Sequence, residues 1–193
     1  MTKYILHGGA TGTQSEDNTN FFLEMTKGVA GSLTILCVYF SRPKEEWLSL
    51  FAQDKKRFSS VCPTKKLHCI LADDQSNFFK EQLQKSDVVY MRGGKTDMLM
   101  ETLRQVKNLG ALLSGKVVGG SSAGACVLST YFYTGTPGSR IREGLGILPI
   151  KLFVHYNTDR QDELEALENH GTHLPVYKIP EEKFFILEQC VSK

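Results

Sequence analysis

The 193-residue chain is poor in several things at once: one tryptophan, six prolines, five cysteines, and almost no excess of charge, with 23 Lys+Arg against 21 Asp+Glu for a net charge of +2. Each shortage excludes something. Near-neutrality, with only the short basic runs Lys55-Lys56-Arg57 and Lys65-Lys66 set among acids, gives no footprint for nucleic acid or a membrane surface. No apolar stretch approaches the length of a membrane span. The opening Met1-Thr2-Lys3-Tyr4-Ile5-Leu6-His7 is too short an apolar run for a signal peptide and reads as a first strand. The cysteines Cys37, Cys62, Cys69, Cys126 and Cys190 are odd in number and nowhere form C-x-x-C, which argues against a disulfide framework or a zinc site. Cys37 and Cys69 fall in apolar strand patterns, where a reduced thiol packs as a small hydrophobe. The expectation is a cytoplasmic protein without metal or cofactor, one domain over residues 1–193, monomeric or homodimeric.

What the chain does have is alternation. Strand patterns at 4–6, 33–40, 67–71, 88–91 and 116–119 alternate with helical patterns at 20–27, 43–59, 76–84 and 96–109, the last ending at Gly110. Such alternation implies right-handed βαβ crossovers: an α/β protein of three layers, with a mostly parallel sheet and helices on both faces. Further on, 133–148 reads as a long loop, 152–156 as a strand and 161–170 as a helix. Segments 176–179 and 184–187 read as a terminal hairpin.

In open α/β sheets, sites gather at the carboxyl ends of the strands. Here those ends carry His7-Gly8-Gly9, Arg92-Gly93-Gly94, Gly120-Ser121-Ser122 and His155. Gly120-Ser121-Ser122-Ala123-Gly124 fits G-x-S-x-G, a nucleophile elbow that lifts Ser122 off a strand end in front of a helix. Serine needs a base. His155, at the end of the strand pattern Leu152-Phe153-Val154, is the first candidate and His7 the reserve. His68 reads as packing, and His170 and His173 as solvated or capping. The acid that orients such a base is harder to place. Glu143 is the one carboxylate between Ser122 and His155, and Asp159 and Asp162 follow closely. Gly94-Lys95-Thr96 mimics the end of a phosphate-binding loop, but Val89 stands where that loop needs a glycine. The other reading is an oxyanion hole made by the N–H groups of Gly93, Gly94 and Ala123.

The ordered set resembles peptidase family S51, the family of dipeptidase E (alpha-aspartyl dipeptidase) and cyanophycinase. The matching residues are the G-x-S-A-G-A elbow at Gly120–Ala125, the partial G-G-G-N-T turn at Arg92–Thr96, and His155-Tyr156. The Gly-Leu-Gly-Ile-Leu-Pro segment at Gly144–Pro149 and Val176-Tyr177-Lys178-Ile179-Pro180-Glu181 match as well. The resemblance runs from Tyr4 to Leu187. It implies a class I glutamine amidotransferase-like (flavodoxin-like) fold and hydrolysis of small peptides by Ser122 and His155, in many members after an acidic residue such as an N-terminal aspartate. Arg140, Arg142 and Arg160 are candidates to hold that acidic side chain, Arg160 the better supported by the resemblance. Three departures stand out. Arg92 and Lys95 replace a glycine and an asparagine at the oxyanion rim. The segment after His155 is short, which predicts a trimmed or more open pocket. Segment 134–138, where the family places its acid, has no carboxylate. Either Glu143 supplies the acid by another loop path, or Ser122 and His155 act as a dyad. Another serine acyl hydrolase, such as an esterase, or a non-catalytic binding protein of the same fold are the competing readings.

Overall fold

Strands buried on both faces read as unbroken apolar runs, and two such runs lie side by side inside the main sheet. In the computed structural model, which describes residues 1–28, 31–135 and 138–190, Ile35 to Val38 and Val88 to Met91 are buried without a break. The elements in chain order are β1 (Thr2–His7), α1 (Glu16–Thr26), β2 (Leu33–Val38), α2 (Trp47–Val61), β3 (Leu67–Leu71), α3 (Ser76–Lys85) and β4 (Val88–Met91). They continue with α4 (Thr96–Arg104), α5 (Leu109–Leu113), β5 (Val117–Ser121), α6 (Ala123–Cys126), β6 (Tyr131–Tyr133) and β7 (Arg142–Glu143). The last are β8 (Lys151–Val154), α7 (Gln161–Asn169), β9 (Val176–Ile179) and β10 (Phe184–Gln189). The main sheet has the order β10-β1-β5-β4-β2-β3, parallel except for β10, with helices on both faces. A smaller sheet, β7-β6-β8-β9, is parallel except for β7.

Three expectations change. The terminal hairpin does not form: β9 pairs with β8 and β10 with β1, in different sheets. The connector between them crosses from one sheet to the other, held by Glu182 N–H on Gly9 O at 3.0 Å and Gly8 N–H on Lys183 O at 2.9 Å. Each strand found an open sheet edge instead of its sequence neighbour. The helix expected over 96–109 ends at Arg104 and restarts at Leu109, because Asn108 takes the left-handed conformation (φ 59°); Gly110 lies inside α5. The 133–148 loop contains β7, and its residues 136–137 lie outside the described residues.

The core between α1, α2 and β4 is aromatic: Phe22 meets Phe58 and Tyr90 edge-on at 5.1 and 5.5 Å. Beside it sits a charge. Asp54 on α2 is fully buried and accepts from Arg92 Nη1 (2.8 Å), Arg57 Nη1 (2.9 Å) and Tyr39 Oη (3.1 Å). It thereby ties α2 to the chain just past β2 and β4. Removing one partner of a buried pair strands the other charge. Asp54→Asn is therefore expected to lose about 3–5 kcal/mol of stability, read as a lower urea midpoint; a variant that unfolds like the parent contradicts this.

Candidate active site

The main sheet delivers Ser122 first. β5 ends at Ser121, the chain turns through Ser122 at φ 48° and ψ −109°, and α6 starts at Ala123. Positive φ is costly for a residue with a Cβ and persists only where the surroundings hold it. Here Ser122 N–H donates to His7 O at 2.9 Å, and Ser122 O accepts from the N–H groups of Ala125 and Cys126, each at 2.9 Å. The smaller sheet delivers His155, one residue past β8, also at positive φ (53°), with its N–H on Gly8 O at 3.1 Å. Its ring lies over Gly9. A Cβ there would come within 2.1 Å of the imidazole, and Gly9 has φ 129°, so both space and backbone require glycine.

Ser122 Oγ and His155 Nε2 are 2.8 Å apart, and His155 Nδ1 and Glu181 Oε1 are also 2.8 Å apart. A carboxylate only accepts, so the Nδ1 proton points at Glu181 and Nε2 is left to accept from the serine hydroxyl. The carboxylate on the histidine is thus Glu181, not Glu143. Glu143 sits exposed on β7 opposite Tyr131, and Asp159 and Asp162 belong to the turn and first turn around the start of α7. Glu181 follows the histidine in sequence and occupies the β9–β10 connector, which as a hairpin turn had no reason to approach β8. The one signal for it was the family-like segment 176–181, which ends on this carboxylate.

Gly93 and Gly94 follow β4. A Cβ on Gly93 would stand 3.0 Å from Ser122 Cβ, so the bare backbone is what lets this loop close on the serine. The loop is pinned by Arg42 Nε on Gly93 O (2.7 Å), Lys95 N–H on Ser41 O (2.8 Å) and Ser41 Oγ on Arg92 O (2.8 Å). Among the described residues, the N–H groups of Gly93, Gly94 and Ala123 make no hydrogen bond. Arg92 turns inward to Asp54. Burial is the largest influence and opposes its charge, but Asp54 together with Tyr90 and Tyr39 holds the guanidinium above its usual range. The result is a cleft of about 390 Å³ lined by Gly9, Thr11, Arg42, Gly93, Ser122 and His155, among others.

The other expected residues fall elsewhere. Arg160 is held by Glu163, Gly135 O and Tyr133 Oη. Arg142 pairs with Asp97 and lies over the Phe132 ring, and Arg140 is exposed. None of the three lines the cleft; Arg42 and Arg92 do. Arg42 was missed because it lies in a turn after β2 with no motif around it. His7, the reserve base, is fully buried. Its Nε2 meets Asn18 Oδ1 at 2.9 Å and its Nδ1 accepts from Gly9 N–H at 3.1 Å. It therefore braces the glycine turn under His155.

A serine at a strained strand-to-helix turn, bonded to a histidine from a later strand, at the carboxyl edge of a parallel sheet defines an α/β protein with a Ser-His site at a strand–turn–helix junction. Comparison with protein families makes it particular. The model of peptidase family S51 matches residues 6–189, and the chain belongs to that family. Two solved structures share the fold, which is class I glutamine amidotransferase-like (flavodoxin-like). One is a peptidase from an acI-B1 Actinobacterium (18% identity, 97% of this chain and 83% of that one, TM-score 0.66). The other is a candidate peptidase E protein from Listeria monocytogenes EGD-e (18% identity, 98% and 100%, TM-score 0.64). Among curated proteins no sequence matches the chain. Among the described residues, no helix is long and apolar enough to cross a membrane, and no group of three or more His, Cys, Asp or Glu side chains is placed to hold a metal.

Burial pushes the His7 imidazole down to about 4 from its ordinary 6.5. Unfolded chains then bind a proton that the folded protein refuses, so stability is full above pH 6.5 and falls as the pH drops toward 4. The loss expected from this one group is about 3 kcal/mol. Urea unfolding of the parent and His7→Gln at pH 7 and pH 4 checks it: the variant should lose less stability on acidification, and equal losses contradict the assignment.

Proposed function

We propose that this S51 protein is a serine peptidase acting on small peptides, with Ser122 as nucleophile, His155 as base and Glu181 as the orienting acid. The carrying observation is the unbroken chain of two 2.8 Å contacts from Ser122 Oγ through His155 to Glu181. Ser122 Oγ adds to the scissile carbonyl carbon while its proton passes to His155 Nε2. The oxyanion takes hydrogen bonds from the free N–H groups of Gly93, Gly94 and Ala123; one such donor is worth about 2.7–4 kcal/mol of barrier. His155 returns the proton to the amine nitrogen as the C–N bond breaks. Water then adds to the acyl-enzyme, giving a proton to His155, and the serine leaves with that proton. Glu181 keeps Nδ1 protonated and accompanies the imidazolium charge.

For side-chain preference, Arg42 on the cleft wall, with the Asp54-paired Arg92 beneath it, supports an acidic residue next to the scissile bond, as in Asp-X dipeptides. In this reading they take the place first given to Arg140, Arg142 and Arg160. The five free cysteines fit a reduced, cytoplasmic setting.

Hydrolysis of Asp-X dipeptides and an aspartyl chromogenic amide tests this. Ser122→Ala should lower kcat by at least about a thousandfold; undiminished turnover, or fluorophosphonate labelling that persists in Ser122→Ala, would falsify the nucleophile. Glu181→Gln should lower kcat at least about tenfold, but less than the ~10⁴-fold seen where a triad acid is buried, because Glu181 is 58% exposed. Glu143→Gln should leave the rate unchanged. The reverse order of these two effects would return the acid to Glu143.

A further inference from the structure

The cleft beside Ser122 continues beyond its own rim. Thr11 and Gly12, which line it, also line a larger cavity of about 700 Å³ between the start of α1 and the outer face of α2. The two spaces share a charge pattern. Arg42 and Arg92 stand on the serine side, Lys56 and Arg57 on the far side, and among the described residues no carboxylate lines either, although Glu46 stands 3.9 Å from Arg42 behind the rim. In a chain with a net charge of only +2, this is a local concentration of cations.

The pattern is also held in place. Asn18 Nδ2 donates to Ala10 O (3.0 Å) and Thr13 O (2.8 Å), and Arg57 Nη2 reaches Gly12 O at 3.4 Å, so the 10–13 loop between the cavities is braced from both sides. Arg92 and Arg57 share the single charge of Asp54, which leaves that trio one positive charge in surplus. Lys56 is exposed and makes no hydrogen bond or ion pair among the described residues. A dipeptide spans only about 7 Å, which the serine cleft accommodates by itself. The second cavity has no use in the hydrolysis of a dipeptide.

We propose that the α1–α2 cavity is a distal subsite that takes the acidic part of an oligopeptide whose scissile bond lies at Ser122, with Lys56 and Arg57 as the recognising cations. This rests on the peptidase reading above and extends its substrates beyond dipeptides. The chain of such a peptide passes Thr11–Gly12, and its distal carboxylates meet Lys56 and Arg57 near solvent. The contribution is therefore modest and sensitive to salt.

The test is binding to the full-length Ser122→Ala protein, followed by fluorescence anisotropy. Two labelled hexapeptides share an N-terminal Asp-X and differ in carrying Asp or Asn at the distal positions. The Asp peptide should bind about two- to fivefold more tightly at low ionic strength, and the difference should shrink at high salt. Adding Lys56→Gln should remove the preference and Lys56→Glu should reverse it, whereas Lys80→Glu on α3, the same charge change elsewhere, should keep it. Equal affinity for the two peptides, or a preference that survives Lys56→Glu, overturns the proposal. Nothing is cleaved in this measurement. A failure of the serine peptidase reading would appear separately, as hydrolysis that persists in Ser122→Ala.

Discussion

Three successive carbonyls at the end of β1 hold the site together. His7 O accepts from Ser122 N–H, Gly8 O from His155 N–H, and Gly9 O from Glu182 N–H, next to Glu181. One short segment thus takes a backbone hydrogen bond from the proposed nucleophile, from the proposed base and from the neighbour of the proposed acid. These three belong to the main sheet, the smaller sheet and the connector between them. The relative placement of the two sheets is set at the point where the chemistry needs it, by groups whose geometry varies little. The strained backbone at Ser122 and His155 is tolerable for the same reason: each residue at positive φ has its N–H anchored to the same rigid strand end. His7 and Asn18 fix that strand end from behind, and the absence of a side chain at Gly9 leaves room for the imidazole.

A second organising element is buried charge. Asp54 fixes Arg92 beneath the serine cleft and Arg57 at the adjoining cavity, so one carboxylate in the core sets the position of cations on both sides of the 10–13 loop. A buried pair of this kind contributes little net stability compared with an apolar replacement, but it is costly to break. Its value here is positional. It holds the Arg92 guanidinium directly beneath an edge where the sheet by itself offers only backbone. The N–H groups of Gly93, Gly94 and Ala123, which make no hydrogen bond among the described residues, add backbone donors at the same edge.

Much of this was legible in the chain. The patterns at 33–40 and 88–91 read as strands and form β2 and β4, and G-x-S-x-G placed Ser122 on a turn. The defect at Val89 removed the phosphate-loop reading of Gly94-Lys95-Thr96. His155 stood out because it ends a strand pattern. The failures have a common cause. Glu143 was chosen for its position in sequence between serine and histidine, but the distance that matters crosses two sheets. The 176–187 hairpin failed because pairing with a sequence neighbour competes with pairing to open edges at β8 and β1. The resemblance favoured Arg160, an arginine soon after the histidine, yet its donors are used by Glu163, Gly135 O and Tyr133 Oη.

The sequence by itself determined the alternating α/β architecture, the strand-end turns, the serine, the histidine and the glycines around them, because periodicity and backbone freedom are local properties of the chain. Only the tertiary structure decided that Glu181 meets His155, that Arg42 lines the cleft with Arg92 drawn inward to Asp54, and that a second cavity with Lys56 and Arg57 on its wall adjoins it. Those contacts depend on how two sheets dock and where a connector crosses between them, and such long-range closures leave no periodic trace in the residues that make them.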